Sequence, residues 1–131
     1  MSDARTAEWR FQLGYAALLT HELDAVLREE WRVLPVTAWL PESLGALVFI
    51  AAHVPLVALL QHGVGHPEPR RRAGWQRAVS AFLVVHLGLH LAFRHHPDYD
   101  FHSPLSQALI VGGALFGAWD LLARWPRRAA R

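Results

Sequence analysis

The chain has 131 residues and a formal charge of +2 at neutral pH, and it is 53% hydrophobic against 18% charged. That apolar excess fits a single domain whose surroundings are not wholly aqueous. It has no Cys, and its only Met is residue 1, which excludes disulfides, thiolate metal sites and internal thioether ligands; all 13 cationic side chains are Arg.

The opening MSDARTAEWR lacks the basic, apolar and small-residue order of a signal peptide, so the first helix itself would direct any membrane insertion. Four apolar segments follow, at about 9–31, 43–62, 75–94 and 104–125. The first, WRFQLGYAALLTHELDAVLREEW, stops before Pro35, and the second follows Pro41. The third contains AVSAFLVVHLGLHLAF, and the fourth, LSQALIVGGALFGAWDLLARW, follows Pro104. Each approaches the ~20 residues needed to cross a ~30 Å hydrocarbon core. The apolar residues cover most of each helix circumference, the pattern expected where lipid replaces water. The predicted fold is all-α, a four-transmembrane-helix bundle forming one integral membrane domain over 1–131, with the lipid bilayer as its main partner.

Arginine placement is an independent guide to orientation. Four spans put Arg5, Arg10, Arg70, Arg71, Arg72, Arg77, Arg124, Arg127, Arg128 and Arg131 on one side, and only Arg28, Arg32 and Arg94 on the other. The positive-inside rule then predicts a multi-pass membrane protein with both termini cytoplasmic. Trp9, Trp31, Trp39, Trp75 and Trp125 fall near span ends, where interfacial Trp is common. The run Arg70–Arg72 suits anionic lipid better than nucleic acid, and no nucleic-acid partner is expected. Gly113 and Gly117 form a GxxxG pair, and Ala108 and Gly112 a second small pair. Such spacing serves close packing inside the bundle or a homodimer.

His21, Glu22, Asp24, His53, His86 and His90 lie inside these apolar segments. Ionisable residues at such depth are costly and mark functional sites. His21 is roughly 18 Å in from Trp9 and His86 roughly 16 Å in from Trp75, at ~1.5 Å per residue. His53 enters from the opposite face to a similar level. Asp24 follows His21 at i+3 and His90 follows His86 at i+4, so each pair shares a helix face. The predicted metal ligands are therefore His21, Asp24, His86 and His90, with His53 as a further member. Glu22, about 100° away from His21, is a ligand, an orienting partner for a bound His, or a helix contact. Imidazole and carboxylate together suit a divalent metal such as Zn, Fe or Mn. Haem is disfavoured, because bis-His ligation leaves Asp24 and Glu22 without a role. Metal-free readings of the same residues are a transporter or proton-relay subunit, and an accessory protein with a structural polar network.

The outer loop FRHHPDYDFHSP places His95, His96 and His102 near the outer mouth, as a solvated loop or an entrance. Asp120, four residues before Arg124, is predicted to form a simple helix pair. No GxSxG, HExxH or phosphate-binding Gly-rich loop is present, so no reaction is assigned.

At T-H-E-L-D-A, Thr20–Ala25, and at the mid-helix His53 and His86, the chain resembles small bacterial four-helix membrane proteins of the HXXEE type. Asp24 matches the first acid of that pattern, whereas Ala25 stands at the second. The resemblance implies a small polytopic protein of the bacterial inner (cytoplasmic) membrane, multi-pass, and carries no established reaction.

Overall fold

The structure, a computed structural model, describes residues 3–124, with side chains from residue 8 onward. Trp125, Arg127, Arg128 and Arg131, used above for topology, lie outside the described residues, as does the Arg5 side chain. Four helices run in chain order: α1 (Asp3–Leu27), α2 (Glu42–Val64), α3 (Pro69–Phe93) and α4 (Pro104–Ala123). A short 3₁₀ turn, η1 (Glu30–Arg32), lies between α1 and α2, and no strand occurs among the described residues. Pro69 and Pro104 open α3 and α4 at the first turn, where a missing N–H costs nothing. Ser103 caps α4 by accepting from the Ser106 N–H at 3.0 Å.

α1, α3 and α4 form the packed centre, and α2 lies against its side, mainly along α3. Buried Phe11, Gly14, Tyr15, Leu18, His21 and Ala25 form one stripe of α1 with helical spacing. On α3 the matching stripe is Val79, Leu83, His86 and His90. The buried apolar residues fall into two clusters. Phe11, Tyr15, Leu18, Val79 and Leu83 make one, and Ala25, Trp31, Val33, Phe49, Tyr99, Phe101 and Ile110 the other. The buried histidines separate them.

Gly113 and Gly117 face α3 and α1 inside the bundle. A Cβ on Gly117 would sit 2.5 Å from the Ser80 carbonyl oxygen, and one on Gly113 would sit 3.2 Å from Leu83. The GxxxG pair is thus used within the chain, where it lets α4 and α3 backbones approach closely.

Three helices, α2, α3 and α4, are long and apolar enough to cross a membrane. α1 is long enough but does not reach that level, which corrects the expectation of four equivalent spans. Arg10, Glu22 and Asp24 interrupt its apolar face. α2 is the opposite extreme: only 11% of its apolar window is buried, leaving Leu47, Ile50, Val54 and Leu59 half or more exposed. Soluble monomers rarely expose so continuous an apolar surface, so these three helices point to membrane association. α1 also ends sooner than predicted, at Leu27, and Trp31 belongs to the core rather than to an interface. It is 8% exposed and packs on Phe49, ring centroids 5.9 Å apart.

Candidate metal centre

His86 and His90, one turn apart on the buried stripe of α3, meet His21 of α1 at the boundary between the two apolar clusters. Their Nε2 atoms converge. His90 Nε2 lies 3.2 Å from His86 Nε2 and 3.3 Å from His21 Nε2. All three rings are nearly enclosed, at 1%, 9% and 6% exposure for His21, His86 and His90. His21 and His86, which residue counting puts at one level, thus meet across α1 and α3, with His90 completing the group in place of His53.

The fourth member comes from an unpredicted place. The chain leaves α1 at Leu27, and Glu29 adopts a left-handed backbone conformation, φ 53° and ψ 42°. This is a costly conformation for a residue with a side chain, of order 1–3 kcal/mol where the surroundings enforce it. It folds η1 back over the end of α1 and turns Glu30 inward. Glu30 Oε1 then lies 3.8 Å from His90 Nε2. One donor atom from each of His21, Glu30, His86 and His90 falls within 4.8 Å of every other. Buried Trp31 and the Thr37 hydroxyl, which donates to the Trp31 carbonyl at 2.8 Å, hold the turn in place.

Burial raises the Glu30 carboxyl, and the negative charges of Glu22 and Asp24 add to that effect while His53 opposes it; the result is a value of about 7. A carboxyl held this way gains most from a cation beside it. Nearby Tyr99 is also pushed up, by burial first and then by Glu30.

The outer loop closes the site. Tyr99 Oη lies 3.1 Å from His90 Nδ1, and the fully buried Phe101 ring packs on His90 and His21 at 4.8 and 5.4 Å. The Gln107 side-chain amide donates to the Phe101 carbonyl and fixes that loop to α4. The Tyr99 oxygen can accept from His90 Nδ1–H, and in that tautomer Nε2 is left as a lone-pair donor.

The other sequence-derived candidates sit around this group and not in it. Asp24 is buried, but its Oδ1 pairs with Arg28 Nε at 3.4 Å, and its Oδ2 has no hydrogen-bond partner. Arg28 also reaches Asp100 in the outer loop at 3.1 Å. His53 is held by Glu22: its Nε2 lies 2.7 Å from Glu22 Oε2, and its Nδ1 lies 2.7 Å from the Phe49 carbonyl oxygen. The carbonyl can only accept, so Nδ1 carries a hydrogen. The pair is then either imidazolium with carboxylate or neutral imidazole with carboxylic acid, and in both forms it holds one shared proton. Glu22 takes the helix-contact role foreseen for it, tying α1 to α2. His95, His96 and His102 do not converge: His95 accepts from Arg94, His96 turns to Asp98, and the His102 ring lies against Tyr99.

Between η1, α2 and α3 lies a cavity of about 380 Å³ whose wall includes Glu30, His86, His90, Glu22 and His53. The rest of that wall is almost entirely apolar, including Val33, Leu34, Phe49, Leu56, Phe82 and Leu89.

The donor set fits a four-coordinate divalent metal. A tetrahedral ion with bonds of about 2.0–2.1 Å has ligand atoms about 3.3 Å apart, close to the separations of His90 Nε2 from the other two Nε2 atoms. The rings have no better hydrogen-bonding explanation: His90 Nε2 faces two other nitrogens at once, and buried His21 Nδ1 has no partner.

A family model matches residues 7–127. The chain belongs to DUF6713, a family of unknown function. No curated protein and no solved structure matches it significantly. Membership in DUF6713 agrees with the resemblance at Thr20–Ala25 at one level only, that of an uncharacterised family, and the family named is not the HXXEE type.

Proposed function

We propose that this DUF6713 protein is an integral membrane protein that binds one divalent metal, zinc, iron or manganese, through His21, His86, His90 and Glu30. The observation that carries this reading is the convergence of three buried imidazoles, with His90 Nε2 at 3.2 and 3.3 Å from the other two Nε2 atoms, beside the largely buried Glu30 carboxyl. Asp24, paired with Arg28, and Glu22, paired with His53, border the group without coordinating the ion, and Tyr99 orients His90. Three strong nitrogen donors and one carboxylate hold such an ion at neutral pH. Once bound, the ion would supply Lewis acidity or redox chemistry.

Membrane insertion is part of the proposal. It rests on the near-complete exposure of apolar α2 and on the ten-to-three asymmetry of Arg about the four helices, which favours cytoplasmic termini. α1 would insert with its carboxylates turned toward α2, η1 and the outer loop, as buried intramembrane charges usually do.

Elemental analysis of detergent-purified protein tests the metal directly. Wild type should carry about one ion per chain, and the double variant His86→Ala with His90→Ala less than about a tenth of that. Trace metal in the wild type, unchanged by the double substitution, would overturn the reading.

The Glu22–His53 pair favours a second reading, a proton-relay subunit, because it holds a single proton between α1 and α2 beside a cavity. Proton flux in proteoliposomes of metal-free protein, abolished by Glu22→Gln, would support it over the first.

A further inference from the structure

The cavity that bares Glu30, His86 and His90 does not end there. A second cavity, of about 210 Å³, continues along α2 toward Trp75, lined by Leu18, Leu19, Val57 and Leu60. Glu22, His53, Leu56 and Phe82 belong to both walls, so the two chambers adjoin at the Glu22–His53 pair. The result is an elongated apolar slot between α2 and the rest of the bundle, with its polar groups collected at one end and at one point along its length.

Three features define what fits. The two chambers adjoin along α2, and that elongation favours a linear chain over a compact ring system. Its combined lining is apolar with a few convergent polar groups, the common character of small-molecule sites, and the larger chamber alone is within their usual ~300–1,000 Å³. The rim is also apolar and open: Val48, Leu56, Phe82 and Leu89 are 41–45% exposed on the same faces of α2 and α3 that lie outside the bundle. A molecule dissolved in lipid can therefore enter sideways without crossing water.

Charge sets the head group. A divalent ion with one bound carboxylate and three neutral imidazoles retains a net positive charge, and the cavity side is where that charge is uncovered. We propose that the slot binds a single-chain amphiphile, an unbranched hydrocarbon with a carboxylate head, seated with its head at the metal group and its chain along α2 past Glu22 and His53. This rests on the metal reading given above and names the ligand class for that site.

The probe is dodecanoate labelled with ¹³C at the carboxyl carbon, added to manganese-loaded protein in lipid nanodiscs. Bound Mn(II) is counted separately by electron paramagnetic resonance. The carboxyl carbon should relax at least about tenfold faster with wild-type protein than with empty nanodiscs carrying the same manganese. Ala52→Trp fills the larger chamber from an exposed position on α2, which supplies none of the four ligands, and Val48→Trp does the same one turn away. Both variants should keep their manganese and lose the enhancement. Manganese bound at one per chain with no enhancement, or with enhancement unchanged in both Trp variants, would overturn the ligand assignment and leave the metal reading standing. Failure to take up manganese, with zinc and iron equally absent, would overturn both.

Discussion

Two buried polar groups hold this bundle, and they are built differently. At one end, Asp120 of α4 is 0% exposed and complete: the Ser80 hydroxyl donates to its Oδ2 at 2.9 Å, and Arg124 Nε donates to its Oδ1 at 2.8 Å. Between the two apolar clusters, His21, His86, His90 and Glu30 are less completely enclosed, Glu30 keeping 14% side-chain exposure, and they are incomplete. Three ring nitrogens face one another without a consistent set of donors and acceptors, and Glu30 lies beyond hydrogen-bond reach of His90. Buried polar groups are normally satisfied, because an unpaired one costs about 1–3 kcal/mol. In the metal reading, a bound ion would remove that cost. The Asp120 group stabilises the helix pair; the histidine group could hold a metal ion.

The contrast can be broken first by adding metal. Zinc at a thousandfold excess over its dissociation constant should stabilise the wild-type fold by about 4 kcal/mol. Thermal unfolding in detergent should show the full increment in Asp120→Asn and none in His86→Ala with His90→Ala. An increment that follows Asp120 instead would dissolve the distinction.

The metal-free protein should next reveal Glu30 through pH. Its carboxyl is raised in the fold from 4.5 to about 7, so the fold favours the neutral acid. That contribution is fully present below pH ~4.5 and is lost as pH rises through about 7, by up to about 3 kcal/mol. Denaturant titrations of wild type and Glu30→Gln across this window should differ by that slope, and bound zinc, which favours the carboxylate, should remove it. A slope that survives in Glu30→Gln belongs to another group.

Asp120→Ala should lower stability by about 2 kcal/mol, less than a fully enclosed ion pair because Arg124 keeps 22% exposure. Metal content should be unchanged, which elemental analysis of the same sample checks.

The smallest effect concerns the turn. Glu29→Gly relieves the left-handed backbone at a site whose ion pair with Arg32, 2.9 Å, is well exposed and contributes little. Stability should stay level or rise by about 1 kcal/mol, with zinc affinity retained. A large loss of either would mean that the Glu29 side chain, and not its backbone, positions Glu30.

The shape of the site explains what its sequence could reveal. His21, His86 and His90 were legible because helical rise and facing are regular, so counting residues sets both depth and direction. The Asp120–Arg124 pair was legible for the same reason, whereas Ser80, forty residues away, was not. Glu30 was invisible to that arithmetic. Nine residues beyond His21, it belongs on a continuous helix roughly 14 Å further along, and only the break at Leu27 returns it. The Glu29-Glu30 pair before buried Trp31 was the available signal, two acids followed by a core residue where an interfacial one was expected. Asp24 was drawn into the ligand set by its i+3 spacing, which places it on the correct face but does not foresee Arg28 one turn on. His53 and Glu22 were each found, yet their partnership across α1 and α2 depends on the lateral placement of α2, which no periodicity encodes. Among the helices, the three uninterrupted apolar runs were clear. α1 was read as their equal because its charges were counted as a site and not also as a cost to insertion.

X-ray absorption of the zinc-loaded protein tests the central claim most directly, because it reports the ion's own surroundings. The zinc shell should hold about four nitrogen or oxygen neighbours at about 2.0–2.1 Å with the outer scattering of three imidazoles, and His86→Ala with His90→Ala should lose the bound zinc. A zinc shell with no imidazole scattering, or one unchanged by the double substitution, would contradict it.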